Sequence, residues 1–201
     1  MRQPMSQAVH DILILNGHPD AKSKGLCHAL AEAYAEGARE AGRSVQRIDV
    51  AALDFGFVSS QAEFEKGKPP ADIACAQEQI RKAQHVVVIF PLWLGDTPAV
   101  LKAFLEQTLR PGFAFTHRSS GFPIKHLKGR SARIIVTMGM PAFVYRWFFR
   151  AHGLKNLKRN VLRFVGFSPV RATLLGGVGN CGKRTIERRL TEVRELGRRG
   201  L

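Results

Sequence analysis

Hydrophobic positions along the chain follow two alternating patterns. Val86 to Phe90 is an uninterrupted apolar run rich in β-branched residues, the pattern of a strand buried on both faces. Ile12 to Leu15, Val45 to Val50, Ala132 to Thr137 and Val170 to Leu175 read as four further strands. Between them, apolar residues recur at helical spacing. Leu30, Ala33, Gly37 and Ala41 mark a helix from about Leu26, with Gly42 as its C′ residue. Ile73, Ala76, Ile80 and Ala83 mark a second, capped by Asp72. Val100, Leu101, Phe104, Leu105 and Thr108 mark a third, with Thr97 as N-cap, Pro98 at its first position and an end near Leu109. An aromatic helix from about Phe143 precedes a stripe of Leu154, Leu157, Val161 and Phe164; Ile186, Leu190 and Val193 line a last helix from Lys183 to about Arg198. Residues 51–71 and Arg110 to Lys128 lack a period and read as surface loops, and Gly176 to Asn180 as a turn.

Strands alternating with helices predict an α/β fold, a parallel sheet covered on both faces. Right-handed crossovers leave few topologies. A chain of 201 residues fits one domain, 1–201, with residues 1–8 as a mobile tail. In such sheets ligands bind outside the carboxyl ends of the strands, which directs attention to three loops.

The first loop, His18 to Leu26, ends on a helix N-terminus, where free N–H groups and the dipole favour a phosphate; Lys22, Ser23 and Lys24 add donors, and Gly25 and Leu26 open the helix. The second, Pro91-Leu92-Trp93-Leu94-Gly95-Asp96, is apolar and aromatic where polar turn residues would suffice, so it predicts something flat and apolar to cover. The third is Thr137-Met138-Gly139-Met140, where Gly139 permits a close backbone approach.

Charge and cysteines narrow the field. The chain holds 31 Lys+Arg against 16 Asp+Glu, a net charge of +15. Such a surface can steer polyanionic cofactors; no nucleic-acid motif accompanies it, so nucleic acid is not an expected partner. Cys27, Cys75 and Cys181 are unpaired in number and lack metal or redox spacing, which predicts no metal site and a reducing cytoplasm. The opening MRQPMSQAVH has no apolar signal region, and no run approaches the length of a spanning helix, so no stable membrane insertion is expected.

The blocks FPLW, PAVLK and GFAF, in that order, resemble the flavodoxin-like NAD(P)H:quinone oxidoreductases, including the modulator of drug activity B group. The resemblance implies a three-layer doubly wound fold, five parallel strands in order 2-1-3-4-5, a bound flavin (FMN and FAD both remaining open) and NAD(P)H as co-substrate, with hydride passed to a quinone; a single wide pocket over the flavin between Trp93 and Tyr145 would make the order ping-pong. Some relatives are instead regulatory flavoprotein subunits of potassium-efflux systems. By the same resemblance His18 and Ser23 meet the flavin phosphates, Trp93 and Leu94 offer backbone N–H groups to the ring, and Thr137 to Met140 lie at its pyrimidine end. Cys27 or His28 stands where relatives carry Asn. Tyr145 and His152 match, one residue loosely, a Tyr and a His that stabilise charge on the reduced flavin. Relatives complete their sites as homodimers, and Phe143 to Phe149 offers apolar surface for one.

Overall fold

A computed structural model describes residues 10–22 and 25–201. The N-terminal tail, Ser23 and Lys24 lie outside the described residues. Five parallel strands form the main sheet: β1 (His10–Asn16), β2 (Val45–Asp49), β3 (Ala83–Pro91), β6 (Ser131–Thr137) and β7 (Val170–Leu175), in the order β2-β1-β3-β6-β7. Counting only these strands, that is the 2-1-3-4-5 order. The central strand β3 is buried from His85 to Phe90, which is why its sequence shows no alternation.

Two hydrophobic cores flank the sheet. On one face α1 (Leu26–Glu40) and the C-terminal helix α8 (Lys183–Arg199) cover Ile12, Ile14, Val87, Ile89 and Ile135. The other core gathers Leu13, Val86, Val88, Phe90, Ile134 and Val136 with α3 (Ala71–Lys82), α4 (Ala99–Thr108) and the crossover between β6 and β7. That crossover comprises α5 (Ala142–Trp147), α6 (His152–Asn156), a π-helical stretch Leu157–Leu162 and α7 (Arg163–Val165).

Several boundaries depart from the sequence reading. The stretch 51–71 is not all loop: a 3-10 turn (Val50–Ala52) and a short helix α2 (Gln61–Lys66) occupy it. Ser60 caps α2 by accepting the Glu63 N–H, a capping-box spacing legible in SQAE. Asp72 does not cap α3; Pro70 holds that position, and the Asp72 carboxylate accepts the Asp54 N–H at 2.8 Å. Pro98 rather than Thr97 is the N-cap of α4, its extended ψ of 148° placing the first helical residue at Ala99. A small antiparallel hairpin, β4 (Phe115–Thr116) with β5 (Ile124–Lys125), interrupts the loop read from Arg110 to Lys128. In the crossover the wider π turn shifts the stripe, so Leu157, Leu162 and Val165 are buried while Val161 and Phe164 are half-buried. Among the described residues no helix is long and apolar enough to cross a membrane, and no His/Cys/Asp/Glu group could hold a metal ion.

Candidate functional site

The sheet order brings the three loops together, because β1, β3 and β6 are neighbours. Asn16 pairs with Ile89 and Pro91 with Thr137 at their carboxyl ends. Gly17 N–H donates to Ile89 O and Leu92 N–H to Thr137 O, each at 2.7 Å, so each loop leaves from a strand end already tied to its neighbour.

The second loop is a two-residue hairpin. Trp93 N–H donates to Asp96 O at 3.1 Å and Asp96 N–H to Trp93 O at 3.0 Å. Leu94 and Gly95 sit at its tip with φ of +48° and +82°, the sign pattern of a type I′ turn. Glycine suits that geometry; leucine does not, and Leu94 projects fully into solvent. The consequence for ligand contacts differs from the sequence expectation. The Trp93 N–H closes the turn, whereas among the described residues the Leu94 and Gly95 N–H groups at its exposed tip donate no backbone hydrogen bond. Trp93 is half exposed beside them, and Pro91 and Leu92 are half-buried, Leu92 against the core.

The crossover fixes this turn from behind. Tyr145 is buried, and its hydroxyl donates to Gly95 O at 3.2 Å while accepting the Leu154 N–H at 3.1 Å. Burial raises its pKa, and the nearby Asp96 charge adds to the rise against the Leu154 hydrogen bond. Arg150 and Ala151, both with positive φ, kink the chain between α5 and α6. This brings Gly153 so close that a Cβ there would lie 2.4 Å from Gly95 O. His152, next to that contact, is exposed.

The first loop rests on a polar network. His18 accepts the Asp20 N–H on Nδ1 at 3.1 Å, and its own N–H donates to Asn16 Oδ1 at 3.3 Å. Behind it, His28 Nδ1 accepts from Arg47 at 3.1 Å, which leaves Nε2 to donate to Asp20 O at 3.1 Å. Arg47 and Asn16 both donate to Asp49 Oδ1 at 2.7 Å. Burial pushes the Asp49 carboxyl up, but the Arg47 and Asn16 hydrogen bonds and the nearby positive charges outweigh it and hold the group below its usual range. The loop runs onto α1, whose first turn carries no acidic residue and whose N-cap is the extended Gly25. Leu26 is half-buried there.

At the third loop Thr137 is buried and its Oγ1 lies 3.4 Å from Cys27 Sγ, joining the loop to the start of α1. Burial pushes the Cys27 thiol up to about 11, against the smaller opposing effect of the Thr137 hydrogen bond, so it stays protonated and is a packing residue. Met138 turns into the core, Met140 is half-buried, and only Gly139 is open, with nothing within 4 Å of where a Cβ would sit.

The helix N-terminus and the unengaged N–H pair supply donors and the open Gly139 supplies space, an arrangement suited to a ligand with an anionic tail and a flat ring of polar edge. The sequence reading found the three loops but not the Asn16–His28–Arg47–Asp49 network. Its signal was available: Asn16 and Asp49 are polar residues at the carboxyl ends of β1 and β2, and the register pairs them.

The chain belongs to the family of flavodoxin-like fold whose model matches residues 10–196. It is 25% identical to NAD(P)H dehydrogenase [quinone] 1 of Rattus norvegicus over 86% of this chain and 71% of that protein. It is 28% identical to FMN-dependent NADH:quinone oxidoreductase 2 of Listeria innocua over 69% of this chain and 70% of the relative. Among solved structures, the NAD(P)H:quinone oxidoreductase of Methanothermobacter marburgensis superposes with a TM-score of 0.77 at 28% identity, covering 95% of this chain and 96% of that one.

Proposed function

We propose that the chain is a flavin-dependent NAD(P)H oxidoreductase that passes two electrons to a quinone or similar apolar acceptor. The observation that carries this reading is the unengaged Leu94–Gly95 N–H pair, set between a helix N-terminus and an open glycine on three adjacent strand ends. The relatives' activities, quinone reduction by NAD(P)H or NADH, support it.

When bound, the flavin supplies the hydride chemistry. The chain's own residues bind and orient. The α1 N-terminus, with Lys22 and His18 beside it, holds the phosphate end; Ser23 and Lys24 belong to the same loop in sequence. Leu94 and Gly95 would offer their N–H groups to the ring, and Trp93 and Leu94 apolar surface. Gly139 admits the far end of the ring, flanked by Thr137, Met138 and Met140. Tyr145 is a positioning residue in this arrangement, since its proton is directed to Gly95 O. His152 remains the exposed group on this side of the turn that can meet developing charge.

A flavin held by these three loops would leave nicotinamide and acceptor a common approach between Trp93 and Tyr145. The two would then have to bind in turn, NAD(P)H leaving before the acceptor enters, which is a ping-pong order. A homodimer is part of the same reading: Phe148 and Phe149, in the turn that follows α5, stack edge to face at 5.0 Å and are 78% and 49% exposed, with α5 too short to cover them. The direct test is the absorbance spectrum of the purified protein and the mass of the released flavin, then NADH or NADPH oxidation with menadione. Parallel lines in steady-state plots are expected. A protein that neither carries nor takes up flavin would overturn the proposal.

A further inference from the structure

The excess of positive charge is not spread along the chain. Residues 107–186 contain 15 Lys and Arg and not one Asp or Glu, while the rest of the chain holds 16 of each sign. Elsewhere the charges pair, as Arg39 does with Glu32 and Arg198 with Glu40. Among the described residues of the acid-free stretch, only Arg110 pairs with an Asp or Glu side chain, that of Glu63 at 3.9 Å.

Part of this excess gathers on one outer surface. Arg159 of the π-helical stretch and Arg163 of α7 stand about one turn apart, beside a groove of about 590 Å3 that Lys125, Phe122 and Phe164 also line. Lys125 Nζ donates to Arg163 O at 2.8 Å, tying the β4–β5 hairpin to the helix. Arg118 is exposed on the loop of the same hairpin. Like charges with no internal partner repel one another, so the surface suits a polyanion.

The hairpin selects which polyanion. Phe122 is 90% exposed and Ile124 41% exposed, with Lys125 next to them. A nucleic acid would ask for aromatic platforms on which bases stack. Phe164 cannot serve as one, being half-buried and packed edge-on against Phe115 at 5.0 Å, and Phe122 alone beside the aliphatic Ile124 gives no succession of platforms. A protruding apolar tip ringed by cations instead matches a bilayer boundary, where the tip enters the acyl region and the cations remain at the phosphates.

We propose that this face, the β4–β5 hairpin with the π-helical stretch and α7, docks reversibly on an anionic lipid bilayer. The docking is peripheral and needs no spanning segment. It goes beyond the oxidoreductase reading and stands without it; where both hold, it brings the enzyme to the phase in which apolar quinones dissolve.

The test is flotation of the full-length, flavin-loaded protein with vesicles of phosphatidylcholine alone or of phosphatidylcholine and phosphatidylglycerol in equal parts, at low and high salt. Binding is expected only to the anionic vesicles and is weakened by salt. Each cation near an anionic surface contributes roughly a fivefold factor, so Arg118→Ala/Arg159→Ala/Arg163→Ala should bind roughly 100-fold more weakly. A charge-matched triple on the opposite, α1–α8 layer, Arg39→Ala/Arg188→Ala/Arg199→Ala, should stay within about twofold of wild type. Phe122→Ser should cost roughly tenfold at low salt. Menadione reduction in detergent-free buffer should be unchanged in all of them, which separates failure of docking from failure of the enzyme reading. Three outcomes overturn the proposal: no flotation of wild type at low salt, equal losses in the two triples, or capture by a DNA duplex with indifference to vesicles.

Discussion

The two helical layers over the sheet are closed by opposite means. In the α1–α8 layer the backbones touch. A Cβ on Gly37 would lie 1.9 Å from Arg194 O, and one on Gly197 would lie 2.1 Å from Tyr34 O. Glu40 receives Arg194 and Arg198 across the seam, and the Tyr34 hydroxyl donates to the terminal Leu201 O at 3.0 Å. The layer containing α5 to α7 is broken twice, at the positive-φ pair Arg150 and Ala151 and at the π turn, and it exposes Phe143, Trp147, Phe148 and Phe149. One layer uses its side chains to seal the sheet. The other leaves aromatic side chains exposed while bracing a strained turn. Substitutions should therefore move stability in the first layer and affinity in the second.

The largest effect is expected at Gly37. Alanine in a helix interior is normally favoured over glycine by about 1 kcal/mol. Here the added methyl meets the α8 backbone, which has no rotamer with which to yield, so Gly37→Ala should destabilise by about 3 kcal/mol or more. Gly56→Ala is the control, since nothing lies within 4 Å of its Cβ position. Urea denaturation of both variants decides it; a Gly37→Ala protein as stable as wild type would mean the helices sit further apart.

The same layer should carry an acid sensitivity through His85. This residue stacks on Tyr34 at 6.4 Å, and its Nδ1 is 2.7 Å from Ser131 Oγ. Burial, then the charges of Arg133, Arg171 and Arg43, push its pKa down from 6.5 to about 4. A folded-state value below the unfolded one means that the unfolded chain binds the proton first. The stabilisation is whole above pH 6.5 and is lost as pH falls towards 4, by about 3 kcal/mol if the full shift is realised. His85→Gln should flatten the stability profile across that window. A wild-type profile already flat there would place the ring in water.

These two layers were unequally legible in the sequence. The strands and the α1 and α8 stripes could be read because burial on a regular helix keeps one period: Leu30, Ala33 and Gly37 are all buried, as is Val193. The crossover could not be read as well. Its π turn adds a residue to the period after Leu157, so a 3.6-residue stripe points at Val161 while Leu162 goes inside. At the candidate site the loops were found because strand ends and glycines are local signals. The partner of the Tyr145 hydroxyl was not, because Gly95 lies 50 residues away and the bond depends on two positive-φ residues between α5 and α6.

Tyr145→Phe tests the bracing directly. Loss of the hydroxyl leaves Gly95 O and the Leu154 N–H without their shared partner, at about 1–3 kcal/mol, or roughly 5- to 150-fold. If the hydroxyl positions the turn, that loss appears as weaker flavin binding in a fluorescence-quenching titration, with the reduction rate of the saturated enzyme nearly unchanged. Unchanged affinity with slower anaerobic reduction by NAD(P)H would instead give the hydroxyl a direct part in the chemistry.

The smallest effect, and the one with opposite signs for stability and affinity, is expected at Leu94. A leucine at φ +48° bears roughly 1–2 kcal/mol of backbone strain, and being fully exposed it gains no packing in return. Glycine relieves that strain but has more unfolded-state entropy to lose, about 0.5–1 kcal/mol. Leu94→Gly should therefore stabilise the flavin-free protein by a net of about 0.5–1 kcal/mol in urea. The same change strips apolar surface from the tip of the turn and loosens the N–H pair beside it, so flavin affinity should fall. A turn optimised for folding would not place leucine there; a turn that grips a flat ligand has a reason to. Should Leu94→Gly lower the urea midpoint and leave flavin affinity intact, the strain at this turn would have no functional counterpart, and the second layer would lose its clearest distinction from the first.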